Sequence, residues 1–325
     1  MTKILGSILC VAAIGLIGSF VGPFGAIPIS YAAFAILAIG LSWRVVRWSL
    51  SPVPFRIPTV CGQQKSLPWI RSSWLESPHS TAGVAARMAL EILAFRSLFR
   101  GTASRIEPGP RLIYREKKWL WLGAIAFHGS LLVILVRHLR LFVEPAPTLA
   151  RWLDRLDGFF QVGAPPFYIT DGLILAAILY LIQRRLRDPR IRYISLFTDY
   201  FALFLLLGIA VSGVWMRYIG RTDIVAVKQF AIGLAVFQPA APRNAGGWFY
   251  AHLALVWTLA AYLPFSKLVH MAGVFLSPTR NLANNNRMKR HVNPWNAPVK
   301  VHTYEEWEDE FRDKLEAAGL PVERR

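Results

Sequence analysis

Four histidines in two apolar stretches carry the chemistry available to this sequence. His128 and His138 lie ten residues apart in Trp119 to Leu139 (WLWLGAIAFHGSLLVILVRHL), and His252 and His270 lie eighteen apart in Trp248 to His270 (WFYAHLALVWTLAAYLPFSKLVH). Eighteen residues are five helical turns, so the second pair leaves one face about 27 Å apart along the axis, and the first pair is separated by about 15 Å. Ionisable side chains inside a spanning helix are costly and turn toward a partner in the bundle interior. A pair on each of two helices therefore points to a ligand shared between them. Haem iron is such a ligand, because neutral imidazole binds it axially and the apolar macrocycle suits a bundle core. Four positions at two depths cannot close one tetrahedral zinc site. For any one histidine the alternative is a hydrogen-bonded packing residue or a step in a polar pathway.

The elements that must position these side chains follow from composition. The chain has 325 residues, 54% of them hydrophobic and 17% charged, with a mean hydropathy of +0.37, which is the composition of an integral membrane protein. Its net charge of +18 flanks apolar segments, as the inner loops of membrane proteins require, so no nucleic-acid partner is expected. Two cysteines, Cys10 and Cys61, can build neither a disulfide framework nor an iron–sulfur cluster within this chain. With no CxxCH, any haem is b-type, held by axial bonds and packing.

The apolar pattern predicts an all-α integral membrane protein with six transmembrane helices, the last four forming a haem-binding four-helix bundle. Residues 1–43 hold two spans, Ile4 to Val21 and Ile27 to Trp43, the first read as a retained anchor rather than a cleaved signal. Residues 44–117 form a basic cytoplasmic segment in which Thr81 to Phe99 repeats apolar residues at helical spacing, an amphipathic helix for the membrane surface or a partner. Residues 118–275 hold the two histidine helices with Phe167 to Ile182 and Ile194 to Trp215 between them. The arginines of Gln183 to Arg192 place that connection inside, Glu144, Asp154 and Asp157 lie outside, and a short amphipathic stretch follows near Ala226 to Phe237. Residues 276–325 form a cytoplasmic tail with surface histidines His291 and His302, in which Thr303 to Glu306 opens a last, acidic helix as a capping box.

Both termini are then cytoplasmic, in a multi-pass protein of a prokaryotic inner membrane. Two spans separate the histidine helices, so they run antiparallel. That pairs His128 with His270 around an inner haem b and His138 with His252 around an outer one. The unequal spacings require tilted helices or sloping haems, with Pro264 as a bend.

These spacings resemble the gamma-subunit family of respiratory nitrate reductase, in which histidines ten and eighteen apart hold two haem b groups. The resemblance covers roughly residues 115 to 275, including Arg184-Arg185-Leu186, Pro189-Arg190-Ile191-Arg192 and Asp199. Outside it, the two N-terminal spans, the basic insert and the tail SPTRNLANNNRMKRHVNPW resemble the DsrM family, cytochrome b subunits of the Dsr transmembrane complex of dissimilatory sulfur metabolism. That resemblance implies exchange with menaquinone or ubiquinone, a cytoplasmic iron–sulfur subunit resembling heterodisulfide reductase (DsrK-like), and further membrane and periplasmic subunits. Nitrate reductase gamma subunits carry a lysine near the outer start of the helix after the first histidine helix. The corresponding region here, Gln161 to Asp171, has none. Arg137 and Asp171, beside the outer haem, are the quinone candidates that remain. They are equally read as a snorkelling arginine and an interfacial capping carboxylate.

The expected function is that of the quinone-reactive electron-transfer subunit of an oxidoreductase, relaying electrons across the membrane to or from the iron–sulfur partner. Alternatives are a nitrate-reductase-type gamma subunit with another acceptor, a proton-relay transporter, or a membrane anchor recruiting a soluble enzyme.

Overall fold

The computed structural model of the protein describes residues 2–51, 62–109, 111–158, 165–240, 242, 245–289 and 301–323. Cys61, His291, the tail from 290 to 300 and Gln161 lie outside them.

Helices α1 (Thr2–Ser19) and α2 (Gly22–Ser49) are joined by a turn at Gly22, whose φ of +65° suits glycine, and Pro23 opens α2 in the first turn, where a missing N–H costs nothing. The basic insert contains α3 (Thr81–Ala94), the single turn α4 (Arg96–Phe99), and a hairpin of β1 (Thr102–Glu107) and β2 (Arg111–Glu116). Within the bundle region lie α5 (Lys118–His138), α6 (Thr148–Asp157), α7 (Ile169–Arg187), α8 (Pro189–Ile194), α9 (Phe197–Tyr218), α10 (Ile224–Ala235) and α11 (Gly246–Tyr262). A short α12 (His270–Gly273) and the acidic α13 (Tyr304–Ala317) complete the set, and the capping box at Thr303 and Glu306 forms as the sequence predicts.

Three departures have local causes. The fold is not purely helical: TASRIE and RLIYRE flank the turn residues Pro108 and Gly109, and with Gly109 at φ +91° they pair antiparallel, Thr102 opposite Glu116. The helix expected over Thr81 to Phe99 breaks at Phe95, which adopts a left-handed conformation. Trp248 to His270 is not one helix. After Tyr262 the chain makes a 3₁₀ turn at Leu263–Phe265, Ser266 turns extended, a second 3₁₀ turn covers Lys267–Val269, and helix resumes at His270. Pro264 cannot donate a helical hydrogen bond, and the Ser266 hydroxyl accepts from Leu268 N at 3.2 Å to cap the new start. The axial distance expected for a straight helix therefore does not apply to His270.

Five stretches, Thr2–Ser19, Gly22–Ser49, Lys118–Leu141, Phe197–Tyr218 and Gly246–Phe265, are long and apolar enough to cross a membrane. The protein is thus a predominantly helical multi-pass membrane protein. α7 is 19 residues long but carries Asp171 at one end and Arg184, Arg185 and Arg187 at the other. It packs between α5 and α9, with Ile174, Ala177, Ile178 and Ile182 buried against Phe127. In turn α9 packs on α11, α1 fills the groove between α9 and α11, and α2 lies on α11 through Ala26, Ala33 and Trp257. The α1–α11 approach depends on Gly18, where an added Cβ would stand 2.3 Å from the Ala254 Cβ. The histidine helices α5 and α11 are bridged by α7 and α9.

Insert and tail fold on each other. Arg87, 3% exposed, donates to the carbonyls of Thr279 and Arg280 at 3.0 and 2.6 Å, and burial holds its pKa below the usual arginine value. Asn284 N donates to Pro78 O at 2.6 Å, and Glu76 is ion-paired with Arg96 and Arg100.

Candidate functional site: two histidine pairs

Each of the four histidines has its Nδ1 committed to the protein. His128 Nδ1 lies 2.8 Å from Ala124 O, His138 Nδ1 2.7 Å from Ile134 O, and His270 Nδ1 2.9 Å from Lys267 O. A carbonyl only accepts, so Nδ1 carries the proton in all three, and the neutral ring keeps its lone pair on Nε2. His252 reaches the same state by another route. Its Nδ1 is 2.9 Å from Ser212 Oγ, and that hydroxyl is 2.7 Å from Gly208 O and 3.1 Å from Ile209 O. The hydroxyl proton goes to a carbonyl, so the Ser212 oxygen accepts from His252 Nδ1. Fixing one ring nitrogen in this way aims the other at a metal.

The rings of one pair meet. His128 and His270 face each other with centroids 6.0 Å apart and planes at 86°. Two imidazoles binding one iron from opposite sides, with nitrogen–metal bonds of about 2.0–2.1 Å by analogy with zinc, put their centroids roughly 6 Å apart. His138 stands next to Arg137 at the end of α5, and His252 lies against α9 through Ser212. Among the described residues no three His, Cys, Asp or Glu side chains gather as a metal site, so the donors present fit two-ligand axial binding. The break after Tyr262 is what lets one chain segment serve both pairs.

The pairs sit at opposite ends, and a separate polar network pins each. At the His128/His270 end, Asp199 accepts Leu196 N at 2.9 Å to cap α9 and bonds Lys267 at 2.7 Å, with Arg185 at 3.8 Å. This ties the turn that carries His270 to α9 and α7. At the other end Arg137 is 5% exposed and lies 2.6 Å from Asp157 and 3.0 Å from Asp171. Tyr218 OH donates to Asp171 at 2.8 Å, and the guanidiniums of Arg137 and Arg217 each stand 3.8 Å from the centre of the Tyr168 ring. Arg140 pairs with Asp154 at 2.7 Å.

Arg137 is thus buried in an ion-pair cluster rather than snorkelling, and Asp171 is its partner rather than a bare cap. The two quinone candidates are brought together, with their charged groups committed to each other. Ser212, Lys267 and Tyr218 were not expected at the site. Ser212 had a signal, since a serine one helix away has few reasons to sit in an apolar run. Lys267 and Tyr218 had none.

Comparison with known proteins places this arrangement. The model of the nitrate reductase gamma subunit family matches residues 112–290, which contain all four histidines. The chain is 44% identical to the Hdr-like menaquinol oxidoreductase cytochrome b-like subunit of Archaeoglobus profundus, over 84% of this chain and 82% of that protein. It is 43% identical to the protein of the same name from Archaeoglobus fulgidus, over 84% and 83%. Similarity to the nitrate reductase gamma chain of Bacillus subtilis is 27%, over 52% of this chain and 78% of that one. Both Archaeoglobus matches extend beyond the bundle, into the segments that the family model leaves out. On this evidence the chain belongs to the nitrate reductase gamma subunit family.

Proposed function

We propose that the chain is the quinone-reactive cytochrome b subunit of a membrane oxidoreductase, holding two haem b groups, an inner one between His128 and His270 and an outer one between His138 and His252. The observation that carries this reading is that four Nδ1 protons are spent on protein acceptors, leaving four Nε2 lone pairs, with the His128 and His270 rings facing each other. Bound there, haem b supplies reversible one-electron chemistry. The chain's own part is to hold the imidazoles in one tautomer, keep water out with the apolar packing of α5, α7, α9 and α11, and fix the height of each pair by its polar network.

The relatives' names support menaquinol as the quinone and an Hdr-like complex as the setting. The finer reading is the DsrM one: a cytoplasmic iron–sulfur subunit resembling heterodisulfide reductase (DsrK-like), with other membrane and periplasmic subunits, in dissimilatory sulfur metabolism. Quinone exchange is assigned to the outer pair. There Arg137 and Asp171, bonded to each other, act as a rigid wall beside His138 rather than as free hydrogen-bonding groups. We take α7 as a sixth crossing, completing a four-helix bundle with α5, α9 and α11. The arginines between α7 and α9, beside the His270 end, support that end and both termini as cytoplasmic.

The test is spectroscopic. Purified protein is expected to give bis-histidine haem b absorption bands with about two haems per chain, His138→Ala losing the outer signal and His128→Ala the inner. A colourless protein that moves protons in liposomes points to the relay transporter instead, and loss of both signals in each variant assigns the histidines to folding.

A further inference from the structure

Among the described residues, Phe95 of the basic insert meets the inner histidine pair. Phe95 ends α3 at φ 48°, ψ 47°, a left-handed conformation in which a bulky side chain is an outlier. Glycine or asparagine is the usual occupant of such a helix end. The turn is nevertheless held firmly: Trp121 Nε1 donates to Ala94 O at 2.7 Å, and Phe99 packs edge-on against Trp121 with centroids 4.9 Å apart. The phenyl so placed stands edge-on to His128, centroids 4.9 Å apart and planes at 84°. Phe127 contacts the same imidazole with identical separation and angle. Two phenyl rings therefore restrict rotation of the ring that faces His270.

We infer that Phe95 is a positioning residue for the inner pair. It fixes the plane of the His128 imidazole and covers the pair on the side of the insert, and the left-handed turn is tolerated because only that turn delivers a ring there. The inference rests on the reading of His128 and His270 as axial haem ligands. Ligand orientation and exclusion of water are two of the means by which a protein sets an iron potential, because a dry, low-dielectric surround disfavours the more charged ferric state. Phe95 precedes the region matched by the family model, which begins at residue 112, so this contact is made from outside the bundle the family shares.

The experiment uses the full chain, purified with its haem, as wild type, Phe95→Gly and Phe95→Leu. Potentials are titrated optically, the low-spin ferric signals are recorded by electron paramagnetic resonance, and thermal melting is followed. Phe95→Gly is expected to keep both haems and shift the inner couple down, raising its oxidised-to-reduced ratio about tenfold at fixed poise, or ~59 mV for one electron. It is also expected to alter the inner ferric signal and leave the outer couple in place. Its melting temperature is expected not to fall, because glycine relieves the left-handed strain. Phe95→Leu, which restores bulk, is expected to return most of the potential. An unchanged inner couple and signal in Phe95→Gly overturns the proposal while leaving haem ligation intact. A shift of both couples with a lower melting temperature also overturns it, assigning Phe95 to packing alone. Wild-type protein without haem removes the underlying reading and this inference with it.

Discussion

Ser212 reaches across from α9 to accept the Nδ1 proton of His252, whereas the other three histidines use a carbonyl of their own chain three or four residues back. A backbone carbonyl cannot be removed by substitution, but a serine hydroxyl can. Ser212→Ala is expected to leave the His252 ring free to turn and to weaken metal binding at that pair by about 10–100-fold, the usual effect of losing such a partner. Haem content and the separate inner and outer spectra check this: the outer signal should fall and the inner one remain. Asp171 makes a complementary case, because Arg137 is 6% exposed at its side chain and Asp171 11%. Asp171→Asn removes one charge of a buried pair, a change that costs about 3–5 kcal/mol when the remaining charge is uncompensated. Asp157 at 2.6 Å retains half of the compensation, so the loss should fall toward the lower end of that range. Thermal melting in detergent measures it.

At the scale of elements, the α11 break and the α1–α11 contact decide where the pairs can form. A straight helix from Trp248 to His270 would carry His270 about 27 Å from His252 along its axis, while the partners on α5 lie about 15 Å apart. The 3₁₀ turns at Pro264 and Lys267 replace that regular rise. Pro264→Ala restores the missing donor and makes continuous helix more favourable. The expected outcome is partial loss of the inner haem with the outer one retained, read by redox difference spectra. Gly18→Val places methyl groups where even a Cβ stands 2.3 Å from Ala254. Forcing α1 away from α11 in this way is expected to destabilise the protein by about 1–3 kcal/mol, as overpacking does. A melting temperature equal to wild type would show that α1 is not seated as described.

The molecule as a whole has a polar network at each end of an apolar bundle, with insert and tail folded together beside the one at the His128/His270 end. Arg87 is the centre of that association, since its guanidinium donates to the carbonyls of Thr279, Arg280 and Leu282 in the tail. Arg87→Ala is expected to remove these bonds, at about 1–3 kcal/mol, and to release the tail locally without unfolding the bundle. Hydrogen exchange over residues 277–289 should accelerate while α5, α7, α9 and α11 stay protected. Uniform acceleration throughout would mean that insert, tail and bundle are a single cooperative unit.

The sequence by itself determined that the chain is a multi-pass membrane protein and that four imidazoles stand in two of its apolar stretches. Hydropathy is a sum over local residues, and the spacing of His128 and His138 along α5 is fixed by 3.6 residues per turn. It also carried the capping box of α13 and the Pro264 bend, because both are set by the chemistry of neighbouring residues. Only the tertiary structure decided what depends on distant residues meeting. Arg137 and Asp171 stand 34 positions apart, and nothing in either neighbourhood announces their pairing. The left-handed turn at Phe95 opposes local preference and is held by Trp121, 26 residues on. The choice of Ser212 as the His252 acceptor likewise needed α9 and α11 packed side by side, and packing, unlike periodicity, is written across the whole chain at once.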